Sequence, residues 1–466
     1  MFFYGESDTM LYKDKRDLEA DCSKALSWTD TSVTLQDAED FRSHRLDRLV
    51  YNAVFHPEPR VRNSARWMIR SAALAFGAVP SSIQTLYEAA GKGLYSNRTV
   101  PAINIRGITY DVARAVFRAA RTTDTGALIF EIARSEMSYT SQSPEEYASC
   151  VLAAAIREGF QGPVFLQGDH FQFNLKKYKA DPDKETAALR DLTAEAIRAG
   201  FYNIDIDAST LVELHLPSVR EQQLLNSRVT AEMTRYVRTL EPEGITISVG
   251  GEIGEVGKHN STVEELRAFM DQYLQMLGGS VKGISKISVQ TGTTHGGIPL
   301  PDGTVAEVKL DFHTLQELSR TARESYGLGG AVQHGASTLP DEAFDRFPAV
   351  GTLEVHLATG FQNMIYESLA FPEELRREIY TYLAMHHGEE RKQGQTEEQF
   401  IYSVRKRGFG PFKKHMWDMP RENLERIAEA LEEKMAFLFV KLGVAQSTEL
   451  VAAHVRPVKV AIPRPL

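Results

Sequence analysis

Val164-Phe-Leu-Gln-Gly-Asp-His170 is a short apolar run that ends in a glycine and two chemically reactive side chains. A run of this length, bounded by a turn, predicts a buried β-strand. A helical pattern follows at 185–198, and a second run of the same kind, Asn203-Ile-Asp-Ile-Asp207, comes next. This strand–helix–strand order is typical of a parallel sheet in an α/β protein.

The same unit recurs along the chain. Strands are predicted at 101–106, 127–133, 164–167, 203–207, 245–249, 284–290, 330–334 and 352–356. Helices are predicted at 110–122, 144–158, 185–198, 220–240, 262–278 and 312–326. Eight alternating strands favour an α/β fold closed as a (β/α)8 TIM barrel. An open doubly wound sheet is the alternative, but the reactive residues follow several strands rather than one switch point.

The two ends of the chain have a different character from this central part. Residues 1–94 and 372–466 show helical and charge-rich patterns without the recurring strands. We therefore expect an N-terminal helical extension at 1–94, a barrel catalytic domain at 95–371 and a C-terminal helical extension at 372–466. Helical additions of this kind make a homo-oligomer the expected assembly.

Composition excludes several classes of protein. The 466 residues carry a formal net charge of -9, which disfavours a general nucleic-acid binder. No stretch approaches the ~20 apolar residues of a membrane span, and the N-terminus has no secretory pattern. Cys22 and Cys150 are the two cysteines, which indicates a reducing compartment without a disulfide framework. We expect a cytoplasmic, enzyme-sized protein.

Three histidines follow predicted strand ends and lie beside small residues: His170, His295 and His334. In a barrel those ends face one rim, so the three side chains can meet in one pocket. Three imidazoles with an open coordination position are typical of catalytic zinc. Any one of these histidines alone is more often structural; their equivalent positions favour a metal site.

Carboxylates accompany these histidines. Glu252 follows another strand, as a further metal ligand or as a loop hydrogen-bond acceptor. Asp169 is a candidate general acid–base near a metal-held substrate, or a partner that orients an imidazole. Asp207 is as consistent with a supporting role as with substrate contact.

Small residues after the strand at 330–334 suggest an anion site. Gly335 exposes backbone donors and Ser337 adds a hydroxyl, although such a turn is also common without a ligand. The glycine-rich stretch at 251–257 lacks the dinucleotide fingerprint, so no nucleotide cofactor is predicted.

Over about residues 83–360 the motifs resemble the class II, metal-dependent ketose-bisphosphate aldolases. The matching stretches are Val100-Pro-Ala-Ile-Asn-Ile, Gly168-Asp-His, Asp205-Ile-Asp-Ala-Ser, Ser248-Val-Gly-Gly-Glu-Ile-Gly, Gly292-Thr-Thr-His-Gly, Lys309-Leu-Asp-Phe and His334-Gly-Ala-Ser. These stretches occur in the same order along this chain as in the family, and the resemblance rests on that order.

The resemblance implies a role for each matched residue. His170, His295 and His334 would bind zinc, with Glu252 as an inner or nearby carboxylate. Asp169 would move the C4-hydroxyl proton, while the metal polarises the ketose carbonyl. The family's phosphate-site positions correspond to Gly296, Gly335 and Ser337.

The last predicted strand departs from the family's pattern. The family has Lys-Ile-Asn-Ile-Asp-Thr-Asp, and this chain has Glu354-Val-His-Leu-Ala-Thr-Gly. His356 replaces a substrate-binding asparagine, Ala358 replaces an aspartate, and Thr359 is kept. Gly250 replaces a glutamate. The family's loop stretch Gly-Gly-Glu-Glu-Asp is replaced here by Gly257-Lys-His-Asn-Ser, which contains Lys258 and His259. The departures argue against fructose bisphosphate. They leave Lys258, His259 and His356 to meet a carboxylate or another anionic group, with solvent-facing roles as the alternative for the first two.

We therefore predict an aldolase that acts on a phosphorylated or otherwise anionic ketose, with a divalent metal, most simply Zn²⁺. A metal-dependent epimerase of a keto-hexuronate of the tagaturonate or fructuronate type is the alternative. A non-catalytic partner subunit of an aldolase is the third hypothesis, against which the three histidines argue. The expected partner is a small-molecule sugar, with no nucleic acid and no membrane.

Overall fold

A computed structural model describes residues 10–254, 259–292 and 310–465. Eight strands form its central sheet: β1 (Val100–Asn104), β2 (Ile129–Ala133), β3 (Gly162–Gln172), β4 (Asn203–Asp207), β5 (Ser248–Glu252), β6 (Lys286–Val289), β7 (Ala331–Gln333) and β8 (Glu354–Leu357). Each strand pairs in parallel with the next, and β8 pairs with β1. The closed ring confirms the predicted (β/α)8 barrel and excludes the open sheet.

The helices around the barrel agree with the prediction within a few residues. They are Thr109–Thr122, Pro144–Arg157, Pro182–Ala199, Val219–Thr239, Val263–Leu277 and Phe312–Tyr326, with Arg134–Thr140, Leu175–Ala180, Arg346–Ala349 and Thr359–Glu367 in the loops. Five of the first six follow an Asp, Ser or Thr whose side chain accepts from the backbone amide three residues on, as expected of N-caps.

Helices also dominate both ends of the chain. Before the barrel lie Lys15–Cys22, Ala38–Asp40, Leu46–Phe55, Pro59–Phe76 and Gln84–Gly91, and after it lie Glu373–His386, Glu397–Val404, Lys413–Trp417, Arg421–Lys441 and Thr448–His454. A short antiparallel pair, Leu26–Trp28 with Val33–Leu35, belongs to the first group. No helix in the described ranges has the length and apolar character needed to cross a membrane.

Alternation along the strands decides what fills the barrel. Successive side chains of a strand point to opposite faces. Leu166, Ile204 and Ile287 are fully buried toward the helices, whereas their neighbours Gln167, Asp205 and Lys286 meet inside the barrel. The interior layer at these positions is therefore polar and charged, an arrangement that requires close pairing because buried charges are costly to desolvate.

The N-terminal segment also contacts the sheet. The strand Ala78–Ser81 runs parallel to the first residues of β3, from Gly162 to Phe165. The Asn203 side chain accepts from the Ile83 amide at 2.9 Å and donates to the Ser81 carbonyl. The segment thus covers the amino-terminal end of the barrel beside β3 and β4.

The C-terminal helices pack on the first barrel unit. In the helix Arg421–Lys441, Glu432 pairs with Arg118 at 2.5 Å, and beyond it the Leu442 carbonyl accepts from the Thr99 amide at 2.9 Å. Closer to the mouth, the Phe409 ring lies directly over Gly107, where a Cβ atom would come within 2.1 Å of the ring. Phe409 holds the neighbouring turn Arg405–Gly408 at the carboxyl end of the barrel.

We expect Phe409→Ala to lower the free energy of unfolding by about 3–5 kcal/mol, because it deletes a fully packed aromatic ring between the extension and the barrel. Urea denaturation followed by circular dichroism measures the change. Leu369→Ala, at a fully exposed side chain, is the control and should change stability by less than about 0.5 kcal/mol. Equal stability of the two variants would show that the extension does not depend on this contact.

Candidate active site

The Asp169–His170 pair lies where β3 is irregular. The register between β3 and β4 shifts between Gly168 and Phe171, and His170 has a left-handed backbone with φ 40°. In a regular strand two consecutive side chains would face opposite sides, but a bulge redirects one of them. Asp169 and His170 consequently both line the cavity at the carboxyl end of the barrel.

His170 is held by two carboxylates from the next strands. Its Nδ1 lies 2.9 Å from Asp207 Oδ2 and 3.2 Å from Glu252 Oε2. Asp207 is fixed in turn, since its Oδ1 accepts from the amide and the hydroxyl of Ser209 at 3.0 and 2.7 Å. These contacts orient the imidazole so that its other nitrogen faces the Asp169 side.

Asp169 lies at the centre of three imidazoles. Its Oδ1 is 3.2 Å from His356 Nδ1, 3.6 Å from His334 Nε2 and 3.9 Å from His170 Nε2. The His334 ring lies between the other two, with centroid distances of 4.1 and 4.2 Å. All of these side chains except His170, which is 15% exposed, are nearly inaccessible to solvent.

A second layer of charges lies beneath this group. Lys286 Nζ is fully buried, donates to Glu354 Oε1 at 2.5 Å and to Gln167 Oε1 at 2.7 Å, and pairs with Asp205 at 3.0 Å. Glu354 also accepts from the Tyr87 hydroxyl and lies 2.6 Å from His356 Nε2. This layer connects directly to the upper group through His356.

Gly250 makes room for this layer. A Cβ atom there would come within 2.3 Å of Asp205 Oδ1 and 3.0 Å of Lys286 Cε. A residue with a side chain, such as the glutamate of the resembling family, does not fit beside the Asp205–Lys286 pair.

The protein's own charges set the protonation of the upper group. Burial raises the pKa of the Asp169 carboxyl, but the charges of His170 and His356 outweigh it and hold that pKa well below its usual value. Burial and the Asp207 charge raise the pKa of Glu252 to about 7. Asp169 is thus the carboxylate kept ionised, next to a carboxyl that titrates near neutrality.

Burial and Asp169 likewise raise the pKa of Glu131 to about 7. Burial together with the charges of His170 and His356 lowers the pKa of His334. His334 is therefore the neutral imidazole of the group, the form that binds metals.

These side chains line a cavity of about 710 Å³. Its outer wall carries cationic side chains from different parts of the chain: Arg106, Arg134, Lys177 and Lys406. Arg106 is paired with Glu136 at 2.8 Å, and Arg134 with Glu185 at 2.5 Å. Among the described residues no carboxylate lies within 4.0 Å of Lys406 Nζ, which lies 5.8 Å from the centre of the Tyr139 ring.

The structure brings most of the predicted site residues together. Asp169, His170, Asp207, Glu252, His334 and His356 form the group described above. Gly335, Ser337 and Thr359 lie at another wall of the cavity. Ser337 Oγ accepts from the Gly360 amide at 3.1 Å, and Thr359 Oγ1 accepts from Arg106 at 3.3 Å. His295 and Gly296 lie outside the described residues, as does Lys258, so the predicted zinc, phosphate-site and anion contacts of these residues stay predictions; His259 is exposed.

Sequence reasoning did not assign the second layer or the outer wall. Glu131 and Lys286 are single charged residues within apolar strand patterns, and this anomaly is the signal that could have identified them. Lys406 had no such signal, because its place over the cavity depends on the path of the C-terminal helices.

The residues present fit a divalent metal. Ligand atoms of Asp169, His170 and His334 lie within 4.8 Å of one another, as do those of His170, Asp207 and Glu252. Asp169 Oδ1 is buried and accepts no hydrogen bond from the described residues. Six buried carboxylates face one lysine here, an imbalance that a cation would reduce; they are Glu131, Asp169, Asp205, Asp207, Glu252 and Glu354.

Comparison with known sequences places the chain in a family. The family described as fructose-bisphosphate aldolase class-II matches residues 81–438, which is well over half of the chain. The protein therefore belongs to the class II fructose-bisphosphate aldolase family, in agreement with the motif order. No curated protein matches the sequence.

Solved structures share the fold. The glycerol-bound fructuronate-tagaturonate epimerase UxaE from Cohnella laeviribosi has a TM-score of 0.56 at 14% identity, over 84% of this chain and 90% of that chain. A probable tagatose 6 phosphate kinase from Sinorhizobium meliloti 1021 has a TM-score of 0.54 at 17% identity, over 75% of this chain and 100% of that chain. The YdjI aldolase from Escherichia coli K12 has a TM-score of 0.46 at 15% identity, over 78% and 98%. At these identities the likeness to the structures from Cohnella laeviribosi and Sinorhizobium meliloti concerns the fold alone.

We expect Gly250→Ala to destabilise the protein by about 1–3 kcal/mol, because the new methyl group displaces the buried Asp205–Lys286 pair. Thermal and urea denaturation measure the loss. Gly279→Ala is the matched control, since a Cβ atom at Gly279 meets nothing within 4 Å. If both variants were equally stable, the close packing of this layer around Gly250 would be wrong.

Proposed function

We propose that the protein is a divalent-metal-dependent aldolase that reversibly cleaves a carbon–carbon bond of an anionic ketose. The observation that carries this proposal is the buried, ionised Asp169 carboxylate among His170, His334 and His356 at the base of a cavity large enough for a sugar. A general base of this kind, beside imidazoles that can hold a metal, is what an aldol cleavage requires.

The metal would be held by His170 and His334, with Glu252 as the nearby carboxylate and His295 as a further predicted ligand. Zinc is the metal that we favour for an imidazole-rich set. When bound, a divalent metal supplies Lewis-acid polarisation of the ketose carbonyl.

Asp169 would take the proton of the hydroxyl group on one of the two carbons that the breaking bond joins. That carbon becomes an aldehyde as the carbon–carbon electron pair moves to the ketone fragment, which is left as an enediolate and is then protonated. In the direction of synthesis, Asp169 returns the proton to the new hydroxyl oxygen. Glu252 and Asp207 hold His170 in place during both directions.

The outer wall supports an acidic substrate. Lys406 is partly buried over the cavity, and burial together with the neighbouring Arg106 charge lowers its pKa. A cation kept there without a described carboxylate partner suits the terminal phosphate or carboxylate of an open-chain ketose.

A keto-hexuronate epimerase is the second candidate, favoured by one observation. At the wall formed by Ser337 and Thr359, the Gly360 amide donates to Ser337 Oγ and Arg106 donates to Thr359 Oγ1, so these donors are engaged within the protein. A compact carboxylate then suits the cavity better than a second phosphate. The same cleavage would epimerise the substrate if the aldehyde rotated and presented its other face before the carbon–carbon bond formed again. The configuration of the former aldehyde carbon would then be inverted.

Proton NMR of the metal-loaded protein with ketose phosphates and keto-hexuronates tests both candidates. Aldolase activity yields an aldehyde and a shorter ketone, whereas epimerase activity yields a stereoisomer without loss of carbon. Absence of both products across the panel would contradict the proposed function.

Asp169→Asn should lower kcat on the best substrate by about 10²–10⁴-fold and change KM little, because the amide cannot accept the hydroxyl proton. Steady-state kinetics measure the loss. Asp191→Asn, at an exposed helical position, is the matched control and should retain full activity. A fully active Asp169→Asn variant would remove this residue from the proton transfer.

Lys406→Met should raise KM about 10–100-fold for a substrate with a terminal acid group, through loss of a charge-assisted contact. A neutral ketose of the same length should show no such change. Lys392→Met, at an exposed lysine of the same extension, is the control. Equal KM values for the acidic substrate in both variants would exclude Lys406 from binding.

A further inference from the structure

The Lys286–Glu354 pair is buried in the barrel beneath the proposed reaction site, and the proposed reaction gives it no role. Both side chains are completely inaccessible to solvent, and Lys286 comes from β6 while Glu354 comes from β8. Lys286 keeps Glu354 ionised, so this carboxylate can only accept hydrogen bonds. The Tyr87 hydroxyl and the Gln167 amide fill its other acceptor positions.

Glu354 thereby decides how His356 is oriented. His356 Nε2 lies 2.6 Å from Glu354 Oε1, so Nε2 carries a hydrogen and donates it to the carboxylate. The ring is then fixed with Nδ1 toward the cavity, 3.0 Å from Glu131 Oε2 and 3.2 Å from Asp169 Oδ1.

We propose that His356, locked by the Lys286–Glu354 pair, is a positioning residue that aims the Asp169 carboxylate at the substrate hydroxyl. The proposal rests on the proposed role of Asp169 as the base and adds the support that this role needs. The second Asp169 neighbour, His334, approaches the same oxygen only to 3.6 Å. Among the described side chains, His356 thus places a nitrogen nearest to this oxygen.

Three departures from the resembling family's pattern act together in this arrangement. His356 stands where the resembling family has asparagine, Glu354 where it has lysine, and Gly250 where it has glutamate. The lysine now comes from β6, as Lys286, and occupies the space left by Gly250. Glu354 of this pair supplies the acceptor that an imidazole at position 356 requires.

Kinetics of His356→Asn test the proposal. Because the variant keeps the metal residues and the outer wall, we expect kcat for cleavage to fall by about tenfold or more, with KM within about twofold. Bound metal, measured by mass spectrometry, should be unchanged. Exchange of the carbon-bound proton of the ketone product with deuterated solvent should also persist, since it does not use the proton that Asp169 moves.

The supporting pair provides a graded series. Glu354→Gln keeps an acceptor for His356 Nε2 and should retain part of kcat, whereas Glu354→Met should lose as much as His356→Asn. The double variant Glu354→Met/His356→Asn should be no worse than either single variant, because both act through the same ring. Circular dichroism of each variant confirms that folded proteins are compared.

Nitrogen-15 NMR of the histidine rings gives a readout that does not need turnover. In the metal-loaded protein the His356 signals, assigned by their loss in His356→Asn, should report a protonated Nε2. Glu354→Gln should shift the Nε2 signal, and Asp169→Asn should shift the Nδ1 signal.

Several outcomes would overturn the inference: unchanged kcat in His356→Asn, a joint loss of metal and activity, or a His356 Nδ1 signal insensitive to Asp169→Asn. A wild-type protein that cleaves and epimerises nothing would overturn the proposed function instead, while the nitrogen shifts still decide whether His356 and Asp169 are coupled.

Discussion

The concentration of negative charge inside the barrel is the constraint on which the site depends. Six carboxylates are buried around its carboxyl end, and one lysine, Lys286, is buried with them. Unpaired charges at such depth are too costly to keep, so each carboxylate is tied to a cation, an imidazole or a hydrogen-bond donor. His170, His334 and His356 supply part of this balance, and in the proposed function a divalent metal supplies the rest and Asp169 acts as the base.

Local backbone geometry places these charged side chains around one cavity. The irregularity of β3 between Gly168 and Phe171 lets two consecutive residues, Asp169 and His170, face one cavity. The glycine at position 250 admits the Asp205–Lys286 pair below them. The C-terminal helices then bring Lys406 over the mouth, where Phe409 anchors its turn on Gly107. The residues proposed for metal binding, proton transfer and anion binding thus come from separate parts of the chain.

Much of the fold and of the candidate site could be predicted from sequence patterns. The parts that could not be predicted have physical causes. All eight strands were predictable because each joins a β-branched run to a turn and a helix. For β5 the prediction at 245–249 falls short of Ser248–Glu252, because Gly250 and Gly251 resemble a turn although both pair with β6. His170, His334 and Asp169 follow strand ends, and the structure places these three in one cavity, as the pattern predicts. Glu131, Lys286 and Glu354 were missed because only closure of the ring brings them together.

Metal content is the most direct test of this account. Purified protein, stripped with a chelator and titrated with Zn²⁺ in a calorimeter, should bind one ion per chain tightly, with loss of that binding in both His170→Ala and His334→Ala. Mass spectrometry of the untreated protein should find the same ion. A chain that binds no divalent metal, or binds it equally well without both histidines, would contradict the central claim.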